Sequence, residues 1–105
     1  MPREPIHPGE FLADELEELD MSAADLSRLL YIPANRIAQI IAGKRNITAD
    51  TALRLGRYFG TGPHIWLNLQ QAYALDVAQQ QLGSELDEIP QRQAMPDMPT
   101  AAASS

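Results

Sequence analysis

The sequence predicts an all-α fold, and two of its features support this prediction. Up to Ile89, apolar residues recur three or four positions apart, which is the spacing of one face of a helix. Residues typical of helix starts, such as proline, serine and threonine, precede these segments, and glycine or proline follows several of them. After Ile89 the periodicity ends, and prolines and small residues dominate. We therefore expect one helical domain over residues 1–89 and a flexible tail over residues 90–105.

The first predicted helix begins near Pro8 and has one apolar and one acidic face. Proline suits the first turn of a helix because no amide hydrogen is needed there. The apolar face consists of Leu12, Leu16 and Leu19, with Phe11 beside them. The acidic face includes Glu10, Asp14, Glu17 and Glu18. Such a face is either simply solvated or a contact surface for a basic partner.

The second and third predicted helices are short and are joined by a tight turn. Ser22 and Asp25 form a capping pattern at the start of the second helix. Pro33 ends that helix, because the residue before a proline is driven out of helical geometry. The third helix runs from about Pro33 to Ala42, and Gly43 stops it. The residues predicted to face the core are Leu26, Leu29, Leu30, Ile37, Ile40 and Ile41. Two helices connected in this way, over about residues 22–43, are typical of a helix-turn-helix.

The fourth and fifth predicted helices complete the domain. Thr48 caps the fourth helix, which ends before Gly60. Its apolar stripe is Ala52, Leu55 and Phe59, with Leu53 alongside. The fifth helix extends from Pro63 to about Ile89 and has two apolar stripes, although a single small core needs only one. Either both stripes wrap the core or one of them forms a dimer contact. The candidates for that contact are Tyr73, Val77, Leu82 and Leu86.

Charge is unevenly distributed along the chain. The whole sequence has a formal net charge of -6 and a pI near 4.7. Residues 26–62 nevertheless carry six basic side chains against a single acid, Asp50, whereas the segments on either side are acidic. Screening limits the reach of a charge to about 8 Å at physiological ionic strength, so a polyanion responds to the local charge. The middle segment is therefore suited to nucleic acid.

The third predicted helix offers side chains that can read DNA bases. With the isoleucines facing inward, the residues on its outer face are Ala34, Asn35, Arg36 and Gln39. Asparagine and glutamine can bond adenine, arginine can bond guanine, and the alanine methyl can contact thymine. Phosphate contacts are expected from Ser22, Lys44, Arg45 and Asn46. A polar helix face is often only solvated, but this one coincides with a cap, a turn, inward isoleucines and a basic loop, which favours DNA binding.

Three segments, HPGE, GKRNITADTALRLGRYFGT and WLNLQ, carry a resemblance that covers residues 6–86. In them the chain resembles the HigA-type antitoxins, the VapI family of phage-repressor-like helix-turn-helix proteins. The resemblance implies a five-helix phage-repressor-like fold with an extended C-terminal helix, a homodimer, and binding to a palindromic operator in the protein's own promoter. It also implies inhibition of a HigB-type toxin, an mRNA endonuclease of the RelE-like group. Such a toxin must be basic to hold RNA, so the acidic face of the first helix is the expected toxin contact.

Some positions depart from the wider repressor family. Ala23 and Ala24 stand where relatives often carry a glutamine that contacts phosphate, so that anchor is missing here. Ser27 replaces a small alanine. Tyr31 replaces the usual turn glycine, and a positive φ there would strain the tyrosine by about 1 kcal/mol.

Other function classes are not expected. The chain has no cysteine, and its two histidines, His7 and His64, lack neighbours at metal-ligand spacing, so we expect neither a metal nor a cofactor. No nucleophile motif or acid–base pair in a cleft indicates an enzyme. No apolar run approaches the roughly 20 residues that span a bilayer. We expect a cytoplasmic protein with no membrane contact and no small-molecule ligand.

Three functions remain open from the sequence. The first is an antitoxin that represses its own operon. The second is an orphan helix-turn-helix regulator without a toxin partner, and the neighbouring gene would separate it from the first. The third is a protein-binding member that has lost DNA affinity, which a DNA titration would reveal.

Overall fold

The computed structural model describes residues 4–92, which fold into six helices and contain no strand. The helices are α1 (Pro8–Leu19), α2 (Ala23–Leu30), α3 (Ala34–Ile41), α4 (Ala49–Phe59), α5 (His64–Leu82) and α6 (Glu85–Glu88). The predicted all-α class is confirmed, and so are the short second and third helices joined by a turn. None of these helices is both long enough and apolar enough to cross a membrane.

The C-terminal part differs from the prediction of one continuous helix over residues 63–89. α5 ends at Leu82 because Gly83 adopts φ 55° and ψ -129°, a conformation outside the helical region. The chain then forms only the four-residue helix α6. The five predicted helices thus become six. Residues 93–105, which make up most of the predicted tail, lie outside the described residues.

The core forms where α1 to α4 meet the first turns of α5. Its buried apolar residues are Leu12, Leu16, Leu26, Leu30, Ile37, Ile40, Ile47, Ala52, Leu55 and Trp66. Full burial of one such leucine or isoleucine stabilises the fold by about 1.5–3 kcal/mol. Ile37 and Ile40 are completely buried, so they hold α3 firmly against the domain. The indole of Trp66 packs between Phe11 and Phe59, with ring centroids 5.3 and 5.5 Å away.

Three leucines that the sequence predicted beside the core are instead exposed. Leu19 is 48% exposed, Leu29 51% and Leu53 59%. In α2 and α4 the inward positions are taken by Ser27 and Thr51, which are 0% and 2% exposed. Each leucine therefore lies on the flank of its helix, where periodicity alone does not reveal whether another element covers it.

The backbones of α1 and α3 approach each other closely at Gly9. A Cβ atom on Gly9 would lie 1.9 Å from the carbonyl oxygen of Ile40. This position therefore requires glycine, even though glycine weakens a helix by roughly 0.5–1 kcal/mol relative to alanine. The contact fixes how far α3 stands from the rest of the domain.

Gly9→Ala is expected to lower the free energy of unfolding by about 3 kcal/mol, because α1 and α3 must separate to admit the methyl group. Urea denaturation measures this loss. Gly43→Ala is the control, since nothing lies within 4 Å of the added methyl and only the left-handed φ of 77° is unfavourable, by about 1 kcal/mol. Equal losses in the two variants would contradict the close approach of α1 to α3.

Candidate nucleic-acid interface

The turn between α2 and α3 is fixed by backbone and side-chain hydrogen bonds. Tyr31 adopts a left-handed φ of 60°, and its amide donates to the carbonyl oxygen of Arg28 at 3.2 Å. The amide of Ile32 donates to the carbonyl oxygen of Ser27 at 3.1 Å. The buried Ser27 hydroxyl donates to the carbonyl oxygen of Ala34 at 3.3 Å, in the first turn of α3. These bonds set the angle at which α3 leaves α2.

The outer face of α3 contains the four residues predicted to read bases. Ala34 and Asn35, at the start of the helix, are exposed, whereas Arg36 and Gln39 are half-buried. Ala38 is exposed as well, and the sequence did not single it out. The N-terminal turn of α3 is therefore the most accessible part of this face. In a helix-turn-helix it is this turn that reaches the base edges.

Arg36 belongs to a chain of polar contacts that links α3, α4 and α2. Its Nη1 atom lies 3.4 Å from Oδ2 of Asp50. Asp50 also accepts from Nε of Arg54 at 3.1 Å, and Nη1 of Arg54 donates to the carbonyl oxygen of Leu30 at 2.7 Å. Because Asp50 is exposed, the ion pair with Arg36 contributes at most about 1 kcal/mol. The ion pair orients the guanidinium of Arg36 but is weak enough to be exchanged for another partner.

Gln39 is oriented by the loop that follows α3. Nε of Arg45 donates to Oε1 of Gln39 at 2.8 Å. With its amide oxygen engaged, Gln39 presents its NH₂ group as a donor, which suits the acceptor atoms of a base in the major groove. Two residues predicted for different roles, base reading and phosphate binding, are thus in direct contact.

The backbone of the basic loop is held at both ends while its side chains remain exposed. The amide of Lys44 donates to the carbonyl oxygen of Gln39 at 2.9 Å. At the other end Ile47 is buried, and its amide donates to Oε1 of Gln70 in α5 at 2.7 Å. The three residues predicted to bind phosphate here, Lys44, Arg45 and Asn46, are all exposed. A rigid backbone with exposed basic side chains is suited to phosphate contacts.

Ser22, the fourth predicted phosphate residue, is committed to capping α2. Its hydroxyl accepts from the amide of Asp25 at 3.0 Å, and the Asp25 carboxylate accepts from the amide of Ser22 at 3.3 Å. The Ser22 amide and hydroxyl, helped by the nearby Arg28, lower the pKa of the Asp25 carboxyl below its usual value. A carboxylate at this helix start competes with a phosphate, so the phosphate role of Ser22 stays a prediction.

His7 has a structural role near this interface. The sequence had been read for His7 only as a possible metal ligand, and that role was excluded. His7 is 7% exposed, and its Nδ1 accepts from the amide of Gly9 at 2.9 Å, which caps α1. Its ring meets that of Tyr73 edge-on, with centroids 4.8 Å apart. Burial lowers the pKa of the His7 imidazole below its ordinary value of 6.5, although the Glu10 carboxylate and the Arg45 backbone oppose the shift. His7 thus joins α1 and α5.

The residues predicted for protein contacts lie elsewhere on the domain. Tyr73 and Val77 are half-buried within the chain itself, while Leu82 and Leu86, near the end of α5 and in α6, are 40% and 44% exposed. The α1 acids Glu10, Asp14, Glu17 and Glu18 are all exposed. Among residues 4–92, no three histidine, aspartate or glutamate side chains cluster so as to hold a metal ion.

A model of the helix-turn-helix family matches residues 12–66, which include α2, the turn, α3 and the basic loop. The chain belongs to the helix-turn-helix family. Virulence-associated protein I of Dichelobacter nodosus is 50% identical to it over 76 residues, or 71% of this chain and 70% of that protein.

Solved structures place the chain near one group within the family. An addiction module antidote protein of the HigA family from Coxiella burnetii matches with a TM-score of 0.83 and 50% identity, over 87% of this chain and 100% of that one. The Pseudomonas aeruginosa antitoxin HigA, solved with the higBA promoter, matches with a TM-score of 0.77 and 42% identity, over 90% and 99%. The resemblance to HigA-type antitoxins is thereby confirmed. This family of DNA-binding proteins is not enzymatic, as the sequence predicted.

Acid is expected to destabilise the domain through His7. In the folded chain the imidazole resists protonation, whereas in the unfolded chain it takes up a proton as the pH falls through about 6.5. The free energy of unfolding should therefore decrease between about pH 7.5 and about pH 5.5. His7→Asn keeps a capping side chain and should remove most of that decrease. Urea denaturation at several pH values tests this, with His64→Asn, at an exposed position, as the control. The assignment to His7 is wrong if both variants keep the wild-type slope.

Proposed function

We propose that this chain is an antitoxin that binds operator DNA, represses its own operon and neutralises a HigB-type, RelE-like mRNA endonuclease. The observation that carries the DNA-binding part of the proposal is that α3 has an exposed start at one end and an exposed basic loop at the other. The similarity to an antitoxin that was solved with its promoter DNA supports the same conclusion.

In the proposed complex the N-terminal turn of α3 enters the major groove. Asn35 is exposed and ready to contact a base edge, while Gln39 presents its donor group. Arg36 must exchange Asp50 for a base. The ion pair that it gives up is worth at most about 1 kcal/mol, and a bidentate base contact gains about 1–3 kcal/mol of discrimination, so the exchange favours binding to the correct sequence. Lys44, Arg45 and Asn46 then contact the backbone and fix the register.

We further propose that the chain binds as a homodimer. Helix-turn-helix dimers place their two recognition helices in half-sites about 34 Å apart, which matches a palindromic operator. The residues predicted from the sequence for this contact are Tyr73, Val77 and Leu82 in α5 and Leu86 in α6, and the exposed pair, Leu82 and Leu86, is available to it.

We propose that the toxin contacts α1. This helix is acidic and is therefore not suited to DNA. Its exposed acids can attract a basic toxin and speed association. Separate acidic and basic surfaces allow one chain to hold two partners of opposite charge. An orphan regulator, the alternative function, would have the same DNA interface but no toxin contact, so the toxin experiment distinguishes the two.

Arg36→Ala is expected to weaken binding to the chain's own upstream promoter DNA by about 10–100-fold, the value of one lost base contact. The same change should alter binding to unrelated DNA much less. Titration of both DNAs at two salt concentrations measures this, with Arg92→Ala, an exposed arginine beyond α6, as the matched control. A wild-type protein with no preference for the promoter would sink the DNA-reading proposal.

Reversing the charges of α1 is expected to impair toxin binding without weakening promoter binding. A variant with Glu10, Asp14, Glu17 and Glu18 changed to lysine should bind the toxin encoded beside it at least about 10-fold more weakly, mainly through slower association. Calorimetry with the purified toxin, together with a promoter-binding assay on the same variant, checks this. Unchanged toxin affinity and unchanged salt dependence would exclude α1 as the contact.

A further inference from the structure

His7 contains a polar atom that the fold buries without a hydrogen-bond partner. The side chain is 7% exposed, and its Nδ1 atom accepts from the amide of Gly9 at 2.9 Å. Burial lowers the pKa of the imidazole below 6.5, so the ring is neutral at neutral pH and carries its single proton on Nε2. Among residues 4–92, no acceptor meets hydrogen-bond geometry with this N–H group. Most buried polar groups in proteins are paired, so an unpaired one requires an explanation.

The residue that His7 caps is packed against the start of the basic loop. A Cβ atom on Gly9 would lie 1.9 Å from the carbonyl oxygen of Ile40, so the two backbones are in direct contact. The same oxygen accepts from the amide of Gly43 at 3.0 Å. Gly43 immediately precedes Lys44, the first basic residue of the loop. The cap that His7 provides therefore supports the backbone from which the loop starts.

The helix α5 connects His7 to the other end of the loop. The imidazole meets the ring of Tyr73 edge-on, with centroids 4.8 Å apart. Gln70 lies three residues before Tyr73, on the same face of the helix, and its Oε1 atom accepts from the amide of Ile47 at 2.7 Å. His7 and the last anchor of the loop are thus held by neighbouring side chains of one helix.

The backbone of Arg45, between these two anchors, lies near the imidazole. Its carbonyl group favours the protonated ring and so opposes the effect of burial on the pKa of His7. The carbonyl is nevertheless outside hydrogen-bond geometry with Nε2. A buried donor and a nearby carbonyl that do not bond need only a small movement of the loop to become paired. In a site with little water such a bond is stronger than in solvent.

We infer that His7 is a positioning residue for the phosphate contacts, and that its Nε2–H group donates to the carbonyl oxygen of Arg45 when the basic loop engages DNA. The inference rests on the proposed function, since it concerns the loop that would contact the DNA backbone. Binding must immobilise the loop, which costs conformational entropy, and a new backbone hydrogen bond offsets part of that cost. Because the bond uses the backbone, the exposed side chains of Lys44, Arg45 and Asn46 stay available to phosphates.

Two substitutions separate the roles of the two ring nitrogens of His7. The asparagine of His7→Asn carries its amide near the place of Nδ1, so it keeps an acceptor for Gly9 but has no donor that reaches the loop. The longer glutamine of His7→Gln carries its amide near the place of Nε2, so it keeps that donor but loses the cap. The asparagine variant should therefore be impaired in DNA binding, and the glutamine variant in stability.

Titration of the full chain with promoter and unrelated DNA over a series of salt concentrations measures binding, and urea denaturation measures stability. His7→Asn should weaken binding to both DNAs about 10-fold and lower the slope of log Kd against log salt by about 1, the equivalent of one phosphate contact. His7→Gln should unfold at a lower urea concentration but bind both DNAs within about threefold of the wild type. His64→Asn, at the exposed start of α5, is the matched control and should change neither property.

A spectroscopic readout follows the Nε2–H group itself. In the His64→Asn protein His7 is the only histidine, so its ring nitrogen signals in NMR spectra are assigned directly. Addition of DNA should move the Nε2-bound proton downfield and slow its exchange with water, as for an N–H group that gains a hydrogen bond. A residue that only supported the fold would give the same signal with and without DNA.

The inference is overturned if a folded His7→Asn variant keeps the affinity and salt slope of the wild type, if His7→Gln loses DNA binding to the same extent as His7→Asn, or if the Nε2–H signal does not change with DNA. If His7→Gln does not fold, His7→Asn and the NMR signal decide. A wild type that binds DNA without preferring the promoter, together with a weakened His7→Asn variant, would reject operator recognition but support the role of His7. A wild type that binds no DNA would reject both.

Discussion

The structure depends on the burial of one face of α3. An eight-residue helix is too short to persist alone in water, so α3 exists only because Ile37 and Ile40 are fully buried against its neighbours. The close approach at Gly9 then sets its distance from α1. With one face fixed in this way, the opposite face has a defined position, and its polar side chains can be held toward a ligand. Base reading requires this, since a hydrogen bond weakens steeply when its geometry is wrong.

The outer face of α3 is arranged by weak contacts laid over that rigid base. Arg36 forms an ion pair with Asp50, and Gln39 accepts a hydrogen bond from Arg45. Each of these side chains remains partly exposed to solvent. Such contacts contribute little to stability, but they limit the rotamers that the side chains sample before a ligand arrives. The magnitudes explain why they do not block binding, because a base contact gains more than an exposed ion pair loses. The side chains of this face are therefore preorganised by contacts that are weak enough to be replaced by contacts to DNA.

Features that depend on residues close together in the chain could be predicted from the sequence, whereas contacts between residues far apart in the chain could not. The cap at Ser22, the break at Pro33 and the inward isoleucines depend on residues a few positions apart, and all were predicted correctly. The bond from Ser27 to Ala34, and that from Ile47 to Gln70, join residues 7 and 23 positions apart, which no local pattern reveals. The break at Gly83 was missed for another reason, because a helix tolerates glycine at a modest cost and only the backbone shows whether it continues. The role of His7 was missed because histidine is an uncommon helix cap.

Arg54 connects the turn before α3 to the polar contacts of the DNA-reading face. Its guanidinium bonds the carbonyl oxygens of the turn, and its partner Asp50 also holds Arg36. In the proposed complex Arg36 exchanges Asp50 for a base. The bonds of Arg54 to the carbonyl oxygens of the turn do not depend on that exchange, so the start of α3 keeps its support while the side chains on its outer face rearrange.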